Sequence, residues 1–368
     1  MIVLAKKILI GDALQENKYL TIEEGIISSI SDEGTPDITI DGTLLPGFVD
    51  IHSHGGGGYY FSDKNIENVR KVIATHHSHG TTSIMASLVT EPIETIKEQI
   101  ARLKPLVQNG ELLGIHLEGP FLSEHKCGAH DPALLRDPEI SLLEELVALG
   151  EGTIAMVTMA PERKGGIEAV EYLVDHGITV AIGHSDGSYE VGQAALAAGA
   201  SVYTHFYNAT PKFDIHAPYT EPTIATAALE DPEIAYEIIN DGVHLSNEVI
   251  QFILKHGHRR TIAVTDAMSA AGGEDGSYTI GALGVTVKDG VARLTEGNSL
   301  AGSTLTMDKT FNRLISEFGL TIAQASFACS TLPARTLGYS YIGEIREGAL
   351  AEFVEVRENK FYKTQILI

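Results

Sequence analysis

A chain of 368 residues is long enough for one barrel-sized domain and a small companion. Its 43% hydrophobic and 20% charged content is that of a globular protein, and no apolar run reaches the ~20 residues of a membrane span. A formal net charge of −23 argues against nucleic acid or an anionic membrane as partner, because both demand a basic surface. A small anionic substrate needs only a local cationic pocket. The start, Met1-Ile-Val-Leu-Ala-Lys-Lys, has no long apolar core after its lysines, so no signal peptide is expected. Cys127 and Cys329 alone build no disulfide framework, which makes the cytoplasm the simpler compartment.

Residues 1–44 read as short strands and turns: segments 2–10, 18–23 and 26–30 alternate or run apolar, broken by Gly and Asp. From Leu45 the text becomes strand then helix, repeated. Strands are predicted at 45–52, 82–88, 112–118, 154–160, 179–184, 201–206, 235–241 and 261–267. Amphipathic helices are predicted near 66–79, 91–108, 139–149, 165–176, 188–198, 222–230 and 246–257. Eight such repeats predict an α/β fold, a (β/α)8 TIM-type barrel. Residues 276–301 read as an inserted hairpin, turning at Lys288-Asp289-Gly290. Helices follow near 304–318, 321–328 and 330–337, and the tail 341–368 returns to short strands. The expected organisation is one small β-domain of residues 1–44 with 338–368, around a barrel of 45–337, with Pro46 near the first boundary.

Several predicted strands end on a metal-type ligand or acid, and in a barrel those ends meet on one face. His52 and His54 form a His-x-His pair whose i and i+2 rings point to one side. Four glycines, Gly55–Gly58, let backbone pass close to a ligand. Glu118 closes an apolar strand, where burial is costly unless a cation or metal pairs with it. His184 and His205 close two successive strands. Any one of these is ordinarily a paired or core residue; together they point to a divalent metal. Glu118, His184 and His205 make an open three-ligand site, and His52 and His54 could complete a second, bridged by Glu118. Nitrogen and carboxylate donors without thiolate suit Zn, Fe, Mn or Co, as one ion or two. Asp266, in Val-Thr-Asp-Ala, is either a helix N-cap or a general base for a metal-activated water. His130 and His244 follow strands three and seven and face the same rim. His76, His77 and His79 fall on the first helix as surface or packing residues, and Cys127 lacks a base–orienter pattern.

The set Asp-Ile-His-Ser-His-Gly, His-Leu-Glu-Gly-Pro-Phe, Gly-Ala-His, Gly-His-Ser, Thr-His-x-x-Asn-Ala, Asp-Gly-Val-His, Val-Thr-Asp-Ala-Met and Leu-Ala-Gly-Ser resembles the N-acetylglucosamine-6-phosphate deacetylase family of the amidohydrolase superfamily. The likeness runs in order from about Leu45 to Leu337. It implies a barrel flanked by a β-sandwich of both termini, and a homodimer whose partner helps close a sugar-phosphate pocket. It implies Glu118, His184 and His205 as main-site ligands and His52 and His54 as the pair for a second ion. It implies Asp266 as catalytic acid/base and His130 and His244 as substrate contacts. Asn208 and Ala209 match a turn whose backbone approaches phosphate, and Ala301-Gly302-Ser303 a loop beside the sugar. One departure concerns the substrate. The family pattern has Arg-Glu-Pro-Gly after the Asn-Ala turn, and that Arg pairs with phosphate; Thr220 stands there instead. Lys212 or His216 is the candidate replacement. Otherwise the substrate is a different or unphosphorylated N-acetyl amino sugar. Among rival amidohydrolases, a bridging carboxylated Lys has no counterpart in Val-Thr-Met-Ala-Pro after strand four. A deaminase His-x-x-Glu is missing from His184-Ser-Asp-Gly. A non-catalytic scaffold would be expected to have lost ligands, and none is missing.

Overall fold

A computed structural model describes residues 1–211 and 221–367. Among these, eight parallel strands form one sheet in sequence order: Phe48–Asp50, Thr81–Leu88, Gly114–Glu118, Ile154–Met159, Thr179–Ile182, Val202–Tyr203, Ala235–Ile239 and Thr261–Val264. The eighth meets the first just beyond both ladders. Ser53 bridges Ala267, Asp266 N donates to His52 O at 2.8 Å, and His54 N donates to Ala267 O at 2.9 Å. The nearly closed (β/α)8 barrel is thus sealed at its C-terminal rim by the backbone of the suspected site residues.

Side-chain parity explains the layers. Val49, Met85, Met156, Ala181, Val202 and Ile262 pack together, while their neighbours Phe48, Ile84, Val157, Val180, Tyr203 and Ala263 join a larger cluster with the helices. Successive residues of a strand face opposite sides, so the first set fills the barrel and the second seats the helical coat. The helices Ile66–Ser78, Ile93–Gln108, Ile140–Gly150, Gly166–Asp175, Tyr189–Ala197, Ile224–Glu230 and Asn247–Gly257 lie within two residues of the predicted ends. In the first, Val69, Val72, Ile73 and His76 recur at helical spacing and are buried, and Asn65 caps it by accepting from Glu67 N.

Both chain ends build a second sheet of six strands, in the order Lys360–Ile366, Glu352–Arg357, Ile38–Pro46, Ile2–Ile10, Ala13–Glu23, Ile26–Ser31. Val3, Ile8, Leu20, Ile40, Leu44 and Phe353 form its own core. The strand Ile38–Pro46 corrects the sequence reading, which started the barrel at Leu45: Leu45 and Pro46 pair with Val354 and Phe353 instead. The buried text runs almost unbroken from Leu44 to Ile51, so hydrophobicity alone does not mark the break. Gly47 does: a Cβ there would lie 2.1 Å from Thr82 Oγ1. The insertion also differs from a hairpin. It is a three-stranded antiparallel sheet of Gly276–Ile280, Leu283–Lys288 and Val291–Leu294, with an extra turn at Gly281, φ 52°. Among the described residues no helix is long and apolar enough to cross a membrane.

His76 lies beneath the glycine run, its ring Nε2 2.9 Å from Gly55 O and 3.3 Å from Ser53 Oγ. Burial is the main cause that pushes its pKa down from 6.5 to about 4, against the smaller pull of the Gly55 carbonyl. Below pH 6.5 the unfolded chain therefore takes a proton that the folded chain refuses. This group lowers stability by up to about 3 kcal/mol as pH falls toward its folded value. In denaturant titrations, wild type is expected to lose stability more steeply than His76→Gln over that window; parallel slopes would contradict the assignment.

Candidate active site

Glu118 is the last residue of the third barrel strand. His52, His184, His205 and Asp266 each stand two residues past a strand end, after Asp50, Ile182, Tyr203 and Val264. Three of these, His184 (φ 49°), His205 (φ 27°) and Asp266 (φ 45°), are left-handed non-glycine residues. That conformation costs of order 1 kcal/mol or more each and turns the side chain in over the barrel mouth. Gly302 (φ 60°) closes the rim beside them, where a Cβ would lie 3.0 Å from Asp266 O.

The rings are oriented from behind. His184 Nδ1–H donates to Lys126 O at 2.8 Å, His54 Nδ1–H to Ser87 O at 3.2 Å, and His52 Nδ1–H to Glu237 Oε2 at 2.9 Å. A carbonyl can only accept, so in the neutral rings of His54 and His184 the lone pair is fixed on Nε2; Glu237 does the same for His52. The Nε2 atoms of His52 and His54 then face Glu118 and Asp266, and that of His184 faces Glu118. His184 and His205 Nε2 lie 3.1 and 3.2 Å from Glu118 Oε1 and 3.0 Å from each other. His54 Nε2 is 3.2 Å from both Glu118 Oε2 and Asp266 Oδ1. His52 Nε2, at 3.5 Å from Glu118 and 3.6 Å from Asp266, has no hydrogen-bond partner among the described residues. One donor atom from each of Glu118, His184 and His205 lies within 4.8 Å of the others, and the same holds for His52, His54 and Asp266. Rings that give their outer N–H to carbonyl or carboxylate and point bare nitrogens at a carboxylate fit a divalent cation.

Protons and a cation compete for these nitrogens. Burial opposes charge on His54, but bonds to Asp266 and Glu118 outweigh it and push its pKa up to about 9. His52 is likewise raised against burial, by Glu237 and Glu118. Burial would raise Glu118, yet the charge of His52 and hydrogen bonds from His130, His184 and His205 hold it well below the carboxylate range. Asp266 is lowered in the same way by His54 and His52. His130 differs. Thr90 N donates to its Nδ1 at 3.2 Å, which puts the proton on Nε2, 3.4 Å from Glu118 Oε2. Burial lowers its pKa and keeps the ring neutral.

These groups open into a cavity of about 320 Å³, whose wall also includes Lys126, Asn208, Ala209, His244 and Gly302. Asn208 Nδ2 donates to His205 O at 3.2 Å, and Ala209 has φ 47°. His244 pairs with Asp241 at 2.7 Å, which lifts its pKa despite burial. Ser303 is not on the cavity wall: its hydroxyl donates to Thr265 O at 2.5 Å, bracing the Asp266 turn, while Gly302 faces the cavity. Lys212, His216 and Thr220 lie outside the described residues.

Sequence reasoning missed Lys126, Asp50, His116 and Glu237. Asp50 accepts from Thr265 Oγ1 at 2.5 Å behind the rim. His116 has both nitrogens satisfied, by Ser87 and Thr158 at 2.9 and 2.8 Å, and backs His52 edge-on at 4.7 Å. Glu237 had a legible signal, a lone acid inside the apolar run Ala-Tyr-Glu-Ile-Ile. Cys127 is a free thiol whose pKa burial pushes up, away from nucleophilic use.

Residues 43–365 match the family model described as "Amidohydrolase family". The chain belongs to the amidohydrolase family. Within it, a relative from Vibrio furnissii, an N-acetylglucosamine-6-phosphate deacetylase, is 33% identical over 96% of this chain and 90% of its own. An N-acetylgalactosamine-6-phosphate deacetylase from Escherichia coli O157:H7 is 32% identical over 95% and 93%. The solved N-acetyl-D-glucosamine-6-phosphate deacetylase of Mycobacterium smegmatis superposes with a TM-score of 0.93 at 36% identity, covering 99% of this chain and 98% of that one.

Cations held by residues from five strand ends should stabilise the fold, each by about 2.7 kcal/mol at a free concentration 100-fold above its Kd. Chelator-treated protein is expected to melt lower than protein reconstituted with Zn or Co. Identical melting curves would contradict a cation site here.

Proposed function

We propose that the protein hydrolyses the acetamide of an N-acetylhexosamine 6-phosphate, best N-acetylglucosamine 6-phosphate, to the amino sugar phosphate and acetate. The observation that carries this reading is the convergence of oriented Nε2 donors on Glu118 and Asp266 in one cavity. The full-length deacetylase relatives supply the substrate class. We assign Glu118, His184 and His205 as ligands of a divalent ion, with His52 and His54 for a second. When bound, the ion supplies Lewis acidity and lowers the pKa of water to about 7.

The chain's own groups do the rest. Asp266, ionised because His54 and His52 outweigh its burial, accepts the attacking water's proton. It then returns that proton to the leaving nitrogen. His130, neutral with its proton on Nε2, is the donor placed to stabilise the oxyanion of the attacked acetyl group. Among the described cavity residues, the cationic candidates for the substrate's phosphate are His244, paired with Asp241, and Lys126, paired with Asp186 at 3.4 Å. Asn208 and Ala209 offer backbone to that end of the substrate. Residues 1–46 with 338–367 form a small domain that frames the barrel. We further propose a cytoplasmic homodimer, a reading that rests on the family resemblance and the sparse cysteine content.

The 4-epimer, N-acetylgalactosamine 6-phosphate, is the second reading, favoured by the Escherichia coli relative. Acetate release from both epimers, with and without the 6-phosphate, decides the substrate. Asp266→Asn is expected to keep the ion at Glu118, His184 and His205 and lose about 10²-fold or more in kcat. Undiminished turnover in that variant would refute the role of Asp266, and no acetate from any sugar in wild type would refute the deacetylase reading.

A further inference from the structure

Glu237 is a buried acid that the proposed reaction does not use. It sits mid-strand in Ala235–Ile239 with no exposed surface. An isolated carboxylate is costly to bury, so its partners matter. Its Oε2 accepts from His52 Nδ1 at 2.9 Å and from His205 N at 3.2 Å. One oxygen therefore touches a member of each ligand group. The other, Oε1, has no hydrogen-bond partner among the described residues.

The orienting partners are not alike. His54 and His184 are set by backbone carbonyls of Ser87 and Lys126. His52 is set by a side chain. Its outer faces are packed, with His116 edge-on at 4.7 Å and His205 stacked at 5.7 Å, so neither ring neighbour fixes which nitrogen carries the proton. Among the described residues only the carboxylate does, by taking the Nδ1 hydrogen and leaving the Nε2 lone pair toward Glu118 and Asp266.

We infer that Glu237 is a positioning residue that makes His52 a metal ligand, and so decides whether the protein holds a second cation at His52, His54 and Asp266 beside the one at Glu118, His184 and His205. This rests on reading both groups as metal sites. Loss of the carboxylate frees the His52 tautomer and weakens the second position. The first keeps all three of its ligand side chains and loses only one hydrogen bond, to His205 N.

The test counts metal rather than activity. Stripped protein is reconstituted with Zn2+, and ions per chain and both affinities are measured for wild type, Glu237→Ala and Glu237→Gln. Wild type is expected to hold two ions. Glu237→Ala is expected to lose the second, with its affinity down about 10- to 100-fold and the first within about threefold. The glutamine carbonyl can still accept from His52 Nδ1, so Glu237→Gln should fall between the two. It carries the test alone if the alanine variant does not fold. Two ions retained at unchanged affinity in both variants overturns the inference, as does equal loss of both ions. Wild type with one ion overturns it while leaving the proposed deacetylase intact; wild type with none overturns both.

Discussion

The carboxylate of Glu118 has imidazole nitrogens of His52, His54, His130, His184 and His205 within 3.1 to 3.5 Å. A buried anion so surrounded is held in place only while positive charge stays with it, as protons on the rings or as a bound cation. The barrel supplies the means of gathering them. Its eight strands end around one mouth, and the residue two past four of those ends points inward. Left-handed backbone at His184, His205 and Asp266 is the local strain that this gathering requires, and the surrounding bonds maintain it.

Behind that inner ring lies a shell of orienting groups. Ser87, Lys126 and Glu237 set three rings, Thr90 sets His130, and Asp50 with Ser303 grips Thr265 beside Asp266. The backbone pair between His54 and Ala267 also seals the barrel. Fold closure and site geometry are therefore the same set of bonds. The terminal sheet takes no direct part; its pairing of Leu45 and Pro46 with Val354 and Phe353 fixes where the first barrel strand begins, and hence where His52 and His54 fall.

The barrel was legible because each strand–helix repeat is patterned at its own period, as Val69, Val72, Ile73 and His76 are. The inner ring was legible because His184, His205 and Glu118 are polar residues ending apolar runs. What stayed hidden was set by three-dimensional proximity. The break at Gly47 is defined by contact with Thr82, distant in sequence. Ser303 reads as a loop hydroxyl beside a substrate, yet its partner is Thr265. Lys126 reaches the cavity wall, and its carbonyl sets His184, through packing that no spacing encodes. Glu237 was visible as an anomaly in an apolar strand, but its partners lie 185 and 32 residues away.

A metal-loaded crystal structure with anomalous scattering at the Zn edge tests the central claim most directly. The account predicts an ion about 2.0 to 2.2 Å from a Glu118 oxygen and from the Nε2 atoms of His184 and His205. An ion bound elsewhere, with these three side chains uncoordinated, would contradict it.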